Sequence, residues 1–292
     1  MMKPSKRLCW PRRGLSTSPT ETTLSGFSVI LPRAALKVRS RFPGSRNSSS
    51  RPESSHEMLK ALIDLLIPPT CHCCGKPLVD GERFVCMLCL DDLPRTLYHL
   101  YWNDHSAPNS DLNPMEARFA GVFPFVNATS AFFYNRNSSL AELVKDFKYH
   151  KFPSLASYLG EVAASEVISS GFFSGIDFIL PVPLHWYKKM KRGYNQSALI
   201  ARGISKVTGI PVSLSLVARR GHRTQTHLSR EQRQDNTRDL FRLKNPETFN
   251  GRHVLIVDDI CTTGATMTSA AEACIKACPG LKISLLSLGV TY

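Results

Sequence analysis

The chain has 292 residues and a formal net charge of +14, with 42% hydrophobic, 21% charged and 9% aromatic residues. That length and apolar share support one or two globular domains with a buried core and exclude a wholly disordered chain. No stretch approaches the roughly 18 apolar residues of a membrane span, and an odd count of nine cysteines fits a disulfide framework poorly.

Residues 1–57 hold 11 Lys/Arg against Glu21, Glu53 and Glu57, with 12 serines and no sustained apolar period. Such a segment buries too little surface to offset chain entropy. It is expected to be a disordered basic leader, or the product of a start placed too far upstream, with Met58 as the initiator. Its Arg- and Ser-rich, acid-poor composition also suits a transit-type presequence or a basic arm for nucleic acid. From Met58 to Ile67 the pattern becomes that of an amphipathic helix, which Pro68-Pro69 ends.

Cysteines then come densely, as Cys71-His72-Cys73-Cys74 and Cys86-Met87-Leu88-Cys89. Two thiolate pairs, each spaced by two residues, place sulfurs on tight knuckles that converge on one tetrahedral ion. Gly75, Pro77 and Asp80-Gly81 suit the turn of a short hairpin between the knuckles. Zn2+ is the expected ion, held by Cys71, Cys74, Cys86 and Cys89, because two symmetrical pairs match a closed structural site. Cys73 is the spare, or replaces Cys71 if the first knuckle is distorted. His72 is read as a solvent-facing knuckle residue. Residues 91–119 read as a connector, broken by Pro94, Asn103-Asp104, Pro108-Asn109-Ser110 and Asn113-Pro114.

Strand and helix alternate beyond the connector. Phe119 to Val126 and Ala131 to Tyr134 are predicted as a strand pair. Ser138 to Tyr149 is a capped helix with Leu140, Leu143, Val144 and Phe147 on one face. A second helix follows from Pro153 to Ser169. Asp177 to Leu180 is a buried strand, Asn195 to Thr208 a helix and Pro211 to Val217 another strand, before a polar segment reaching about residue 250. His253 to Val257 is strongly apolar, Thr266 to Cys278 is a helix, and Lys282 to Val290 is the closing strand. Such alternation implies a mostly parallel sheet covered on both faces, with the ligand at the carboxyl ends of its strands. Cys274 and Cys278, four apart on the last helix, are expected to pack in the core.

The sharpest signal runs from Val254 through Asp258-Asp259 to Thr266. A buried strand delivers two adjacent carboxylates at its carboxyl end, and a small, hydroxyl-rich loop leads directly into a helix. Thr262, Thr263 and Thr266 offer hydroxyl donors, and Gly264 permits close backbone approach. The amides at the helix start, including that of Ala265, supply a fixed positive field for a phosphate. The carboxylates suit a ribose diol, directly or beside a magnesium ion. A phosphate cradle joined to a diol clamp describes a ribose 5-phosphate site.

This segment resembles the phosphoribosyl diphosphate signature of type I phosphoribosyltransferases. Over about 58–292 the chain is similar to the ComF family of competence-associated phosphoribosyltransferase-like proteins. The shared marks are the helix running into Pro-Pro, the Cys-rich ribbon, Phe147-Lys148-Tyr149, Leu180-Pro181-Val182-Pro183-Leu184 and Lys191-Arg192-Gly193-Tyr194-Asn195-Gln196. Gln225-Thr226-His227-Leu228-Ser229 follows, with Arg233, Asn236 and Phe241, while His222 departs from the family's usual Thr.

The resemblance implies an α/β fold of the type I phosphoribosyltransferase kind, a mostly parallel sheet flanked by helices and preceded by a small zinc ribbon. The implied organisation is a leader over 1–57, helix plus four-cysteine ribbon over 58–105, a linker over 106–118 and the phosphoribosyltransferase-like domain over 119–292. It further implies that Pro181, Val182, Pro183 and Leu184 face the diphosphate, with Arg192 in the following loop neutralising a polyanion. Residues 219–233 resemble the family's flexible loop, which would bring Arg219, Arg220, Gln225, Leu228, Arg230 and Arg233 over the leaving group, with Asn236 just beyond. An arginine cannot act as a base near neutral pH, so its role there is electrostatic. Asp258, Asp259, Arg192, Arg219 and Arg220 are the implied catalytic set. Phosphoribosyl diphosphate with Mg2+ is the implied ligand, in a cytoplasmic protein without a membrane span. A competence role adds single-stranded DNA and the competence machinery as partners. Two readings stay open: a transferase acting on a nucleobase or amine, and a ribose-phosphate-sensing scaffold that supports DNA uptake.

Overall fold

The computed structural model describes residues 68–100, 112–150, 152–184, 190, 192–219 and 240–292, all within the compact unit Glu53–Tyr292. The leader and the helix expected over 58–67 lie outside the described residues.

The ribbon is built from two isolated antiparallel bridges, Thr70 with Pro77 and Arg83 with Val85, and a short helix α1 (Met87–Asp91). Where a connector was expected there is a short helix α2 (Pro114–Ala117), closed by a full capping box. The Asn113 side chain accepts from the Met115 and Glu116 amides while Glu116 accepts from the Asn113 amide. The strand expected over 119–126 is not formed. Gly121 takes φ +75°, and Phe119, Phe123 and Phe125 gather into one aromatic cluster instead of alternating between two faces. Mutual burial of three rings outweighs the short extended pattern that suggested a strand.

The first strand of the body is β1 (Asn127–Phe133). Helix α3 (Ser139–Tyr149) follows, with Ser138 Oγ accepting from the Ala141 amide, and then α4 (Pro153–Val167), which places Pro153 in its first turn. Strand β2 (Phe178–Pro181) leads to α5 (Gln196–Thr208), capped by Asn195 and ended by Gly209 at φ +74°. The strand expected over 211–217 is mostly irregular. It keeps one bridge, Val212 to Ile179, before β3 (Leu216–Ala218) pairs antiparallel with β4 (Phe241–Leu243). The closing elements are β5 (His253–Cys261), α6 (Ala265–Ala277) and β6 (Lys282–Val290).

The main sheet runs β1-β6-β5-β2, and all its pairs are parallel. Alternation in the central strands divides the core: Leu255, Val257, Leu286 and Leu288 join the cluster of α3, α4 and α5. Val254, Ile256, Ile283 and Leu285 join Met267, Ala270 and Cys274 of α6. Helices α4 and α5 touch backbone to backbone. A Cβ at Gly160 would sit 2.2 Å from the Ile200 carbonyl oxygen, and one at Gly203 would sit 2.0 Å from that of Ser157.

Cys71, Val85 and Leu93 of the ribbon belong to the same buried cluster as Phe132, Leu143 and Phe147. A hydrogen bond between His72 and Asp146 and two ion pairs, Arg83 with Glu161 and Arg95 with Glu166, tie the ribbon and the segment just after it to α3 and α4.

Candidate functional site

Strand β5 runs further than its apolar run suggests. Past Val257 it continues through Asp258 and Asp259 to Cys261, with Asp258 opposite Ser287 and Cys261 opposite Val290 of β6. The two carboxylates therefore lie inside the sheet's last rungs and are 7% and 6% exposed. Each is held. Asp258 Oδ1 accepts from the Ser197 hydroxyl and from the Asp259 amide, both at 2.9 Å. Asp259 Oδ1 accepts from the Ile260 amide at 2.6 Å. Asp259 Oδ2 lies 2.6 Å from Lys148 Nζ, ion-paired without a well-aligned hydrogen bond.

Electrostatics separate the two acids. Burial pushes the Asp258 carboxyl up to about 7, with the neighbouring Asp259 charge adding to the rise. Asp259 faces the Lys148 ammonium directly. The two neighbouring carboxyls thus differ in their surroundings: Asp258 is held by a hydroxyl and an amide, Asp259 by an amide and the Lys148 ammonium.

The loop after the strand is open where a ligand needs it. Thr262, Thr263, Ala265 and Thr266 are exposed, and the N-cap residue Gly264 brings no side chain to the start of α6. The Ala265 amide donates to Thr263 Oγ1 at 3.4 Å, and the amides that follow it in the first turn of this 13-residue helix suit an anion. Gly264 is buried at φ +84°, and a Cβ there would meet Phe119 Cε1 at 2.9 Å. Both backbone and ring therefore require glycine. Gly264→Ala is expected to displace the loop and lower stability by about 1–3 kcal/mol, read as a fall in Tm together with loss of ligand affinity. An alanine variant that kept both would show that Phe119 does not shape this loop. Arg118 fixes the same loop, donating to the Thr262 carbonyl with Nη1 and to the Thr291 carbonyl with Nη2.

The segment expected to face a diphosphate lies alongside. Pro181 pairs with Val257, the Val182 amide donates to the Val257 carbonyl at 2.8 Å, and Asn195 Nδ2 donates to the Val182 carbonyl at 3.0 Å. Pro181 to Leu184 therefore leaves the sheet next to Asp258. Arg192 donates to Gln196 Oε1 at 2.6 Å and stands 5.6 Å from the Tyr149 ring centroid. Arg219 lines a cleft of about 460 Å³ with Phe241, Arg242, Glu272 and Lys276, along the carboxyl-terminal half of α6. Arg220, Gln225, Leu228, Arg230, Arg233 and Asn236 lie outside the described residues.

At the ribbon, the Sγ atoms of Cys71, Cys74, Cys86 and Cys89 all lie within 4.8 Å of one another. Zinc–sulfur bonds of about 2.3 Å in a tetrahedron set sulfur–sulfur edges of about 3.8 Å, and Cys74 and Cys86 are 3.8 Å apart. The donor set fits zinc. The amides of Cys73 and Cys86 donate to Cys71 Sγ at 3.4 and 3.3 Å. Burial pushes the Cys71 thiol up, but backbone donors from Cys86, Cys74 and Cys73 outweigh it and bring it down to about 6. Cys73 lies outside the four-sulfur cluster, and burial with the Cys71 charge pushes its thiol up to about 12. His72 does not face solvent as expected: its Nδ1 contacts Asp146 Oδ2 at 2.6 Å, and its ring meets Phe152 edge-on at 4.7 Å. Cys274 and Cys278 are buried in the core.

Sequence reasoning assigned no site role to Lys148, Ser197, Arg118 or Phe119. For two of them a signal was present. Lys148 continues the Leu140-Val144 row of α3, and Ser197 shares the face of Ile200, Ala201 and Ile204 on α5. A polar group on an apolar stripe needs a buried partner, and in both cases that partner is the Asp pair.

Residues 193–286 match the family model of the phosphoribosyl transferase domain. With the parallel sheet and the strand–loop–helix site, this makes the chain a phosphoribosyltransferase-domain protein. The DNA utilization protein YhgH of Salmonella typhimurium is 28% identical over 216 residues, covering 73% of this chain and 93% of that protein. Its counterpart in Shigella flexneri is 33% identical over 141 residues, covering 47% of this chain and 61% of the relative's length. Competence protein F of Haemophilus influenzae is 36% identical over 96 residues, covering 32% and 42%. The chain is thus similar to these DNA utilization and competence proteins and carries a phosphoribosyl transferase domain with a four-cysteine cluster ahead of it. Among the described residues no helix is long and apolar enough to cross a membrane.

Proposed function

We propose that this protein binds phosphoribosyl diphosphate at the carboxyl end of β5 and that this binding serves the handling of DNA. The observation that carries the reading is the pairing of two buried, pre-oriented carboxylates with an exposed hydroxyl loop at a helix start whose N-cap is glycine. Asp258 and Asp259 accept hydrogen bonds from the ribose hydroxyls. The Thr262, Thr263 and Thr266 hydroxyls, with the first amides of α6, hold the 5-phosphate. The turn from Pro181 to Leu184 and the Arg192 guanidinium face the diphosphate. Mg2+, when bound, supplies charge neutralisation for that diphosphate.

If the protein is a transferase, the same residues account for the chemistry. The bond from the anomeric carbon to the diphosphate lengthens as positive charge develops on the ribose, and Asp258 and Asp259 lie on the face where that charge is stabilised. Catalysis of this kind is positioning plus electrostatics. The names of the relatives, DNA utilization protein and competence protein, favour a cellular role in DNA uptake or use, with single-stranded DNA and the competence machinery as partners. None of the eight described cysteines is in a disulfide, and four of them form the zinc-type cluster, which suits a reducing, cytoplasmic setting.

Two readings of the site separate by turnover. Incubation with phosphoribosyl diphosphate, Mg2+ and a panel of nucleobases and amines is expected to release diphosphate with one acceptor if the protein is an enzyme. Saturable binding without release of diphosphate across the panel identifies a ribose-phosphate-sensing scaffold. Absence of binding defeats both readings.

A further inference from the structure

The last turn of α3 is gripped from three directions. From the ribbon, His72 Nδ1 reaches Asp146 Oδ2 at 2.6 Å, with side chains 16% and 19% exposed. From the loop after the segment expected to face a diphosphate, the Tyr194 hydroxyl donates to the Phe147 carbonyl, and Arg192 stands over Tyr149. From the sheet, Asp259 pairs with Lys148, with side chains 8% and 17% exposed. Phe147, between the two charged residues, is fully buried. The imidazole of His72 is itself fixed, edge-on to Phe152 and tilted against Phe84. One helical turn therefore joins the cysteine ribbon, the loop carrying Arg192 and the Asp pair.

We infer that the ribbon is a positioning element of the ribose-phosphate site: His72, by gripping Asp146, sets the last turn of α3 so that Lys148 holds Asp259 in place. This rests on the proposed ribose-phosphate reading for its ligand. The physical logic is that of a supporting shell. A binding constellation works when its groups are held within about 0.5 Å by neighbours that are themselves locked. Lys148 has a flexible four-carbon stem, and its 2.6 Å contact to Asp259 survives only if the helix backbone stays where it is. The hydrogen bond between ribbon and helix is short and partly shielded from competing water. Asp146 and Lys148 lie on different faces of the helix, so the coupling passes through the backbone of the turn and the packing of Phe147. His72 and Asp146 are positioning residues and touch no ligand. By linkage, occupancy of the ribose-phosphate site then tightens the ribbon, and loosening the ribbon weakens the site by the same factor.

The test uses the full chain and four variants. His72→Ala removes the grip from the ribbon side, and Asp146→Ala removes it from the helix side, away from the cysteines. His72→Gln keeps a donor for Asp146. His150→Ala removes only the second, 63% exposed partner of Asp146. Amide hydrogen exchange over 146–150 and 258–262 is measured without ligand, metal content by atomic absorption, and phosphoribosyl diphosphate affinity by titration calorimetry. Asp146→Ala and His72→Ala are expected to speed exchange in both segments and raise Kd about fivefold or more, with zinc retained. His72→Gln and His150→Ala are expected to stay within about twofold of the parent. Unchanged exchange in Asp146→Ala overturns the inference, and so does faster exchange with unchanged affinity. If the parent protein does not bind phosphoribosyl diphosphate, the proposed function fails, while the exchange data still decide whether the ribbon holds the turn.

Discussion

Replacing Asp258 and Asp259 together by Asn is expected to weaken phosphoribosyl diphosphate binding by about two to four powers of ten. Each lost charge-assisted hydrogen bond to a ribose hydroxyl is worth roughly 1.5–3 kcal/mol, and about 1.4 kcal/mol is tenfold in Kd. Removing two acids beside a polyanion acts in the opposite sense, but it is diffuse and screened, whereas the diol contacts are fixed. Burial gives the single substitutions opposite effects on stability. Burial and the Asp259 charge push Asp258 up to about 7, so the folded protein keeps a proton that the unfolded chain releases from about pH 4 upward. Stability therefore falls as pH rises between about 4 and 7 and stays lowered above. Asp258→Asn removes that loss and is expected to raise Tm at pH 8 by several degrees, with little change at pH 4. Asp259→Asn instead strands the mostly buried Lys148 ammonium and is expected to lower Tm at pH 8. Calorimetric unfolding of both single variants at pH 4 and pH 8 checks the signs. A lowered Tm for Asp258→Asn at pH 8 would mean that the ionised carboxylate stabilises the fold, contrary to the upward shift.

The second large effect concerns the ribbon. Protein purified without chelator is expected to carry about one zinc per chain, and Cys86→Ser with Cys89→Ser to carry none. Structural zinc contributes on the order of 10 kcal/mol to small metal domains. Because Cys71, Val85 and Leu93 belong to the same buried cluster as Leu143 and Phe147, losing the metal is expected to lower the Tm of the whole described unit. Cys73→Ser is expected to leave zinc in place. Full metal content in the double variant would move the ligands elsewhere, and loss of metal in Cys73→Ser would bring that residue into the site.

Much of this fold is legible from short-range chemistry. The closing strand Lys282–Val290 and the helices following Ser138 and Asn195 appear where alternation, apolar stripes and caps place them. The misses share a cause. Phe119 to Val126 has the composition of a strand, yet its rings find one another and the underside of Gly264, a contact about 145 residues away in sequence that no local window contains. Strand β5 extends beyond Val257 because β6 offers partners as far as Val290, so the Asp pair is buried rather than perched at a strand end. The same applies to the site. Asp258, Asp259 and the Thr262–Thr266 loop are visible as an ordered motif, whereas Lys148 and Arg118 reach it from segments more than 100 residues earlier. Lys148 left a trace, a cation on an apolar stripe. Arg118 left none, since a lone arginine in a polar stretch looks like any solvated surface residue.

The central claim, that the carboxyl end of β5 is a ribose-phosphate site, is tested most directly by isothermal titration of the full chain with phosphoribosyl diphosphate. The titration is run with and without Mg2+, and in parallel on Asp258→Asn plus Asp259→Asn. The account predicts saturable binding near one ligand per chain, strengthened by Mg2+ and lost in the double variant. Absence of heat in the parent protein, or equal or tighter binding by the double variant, would contradict it.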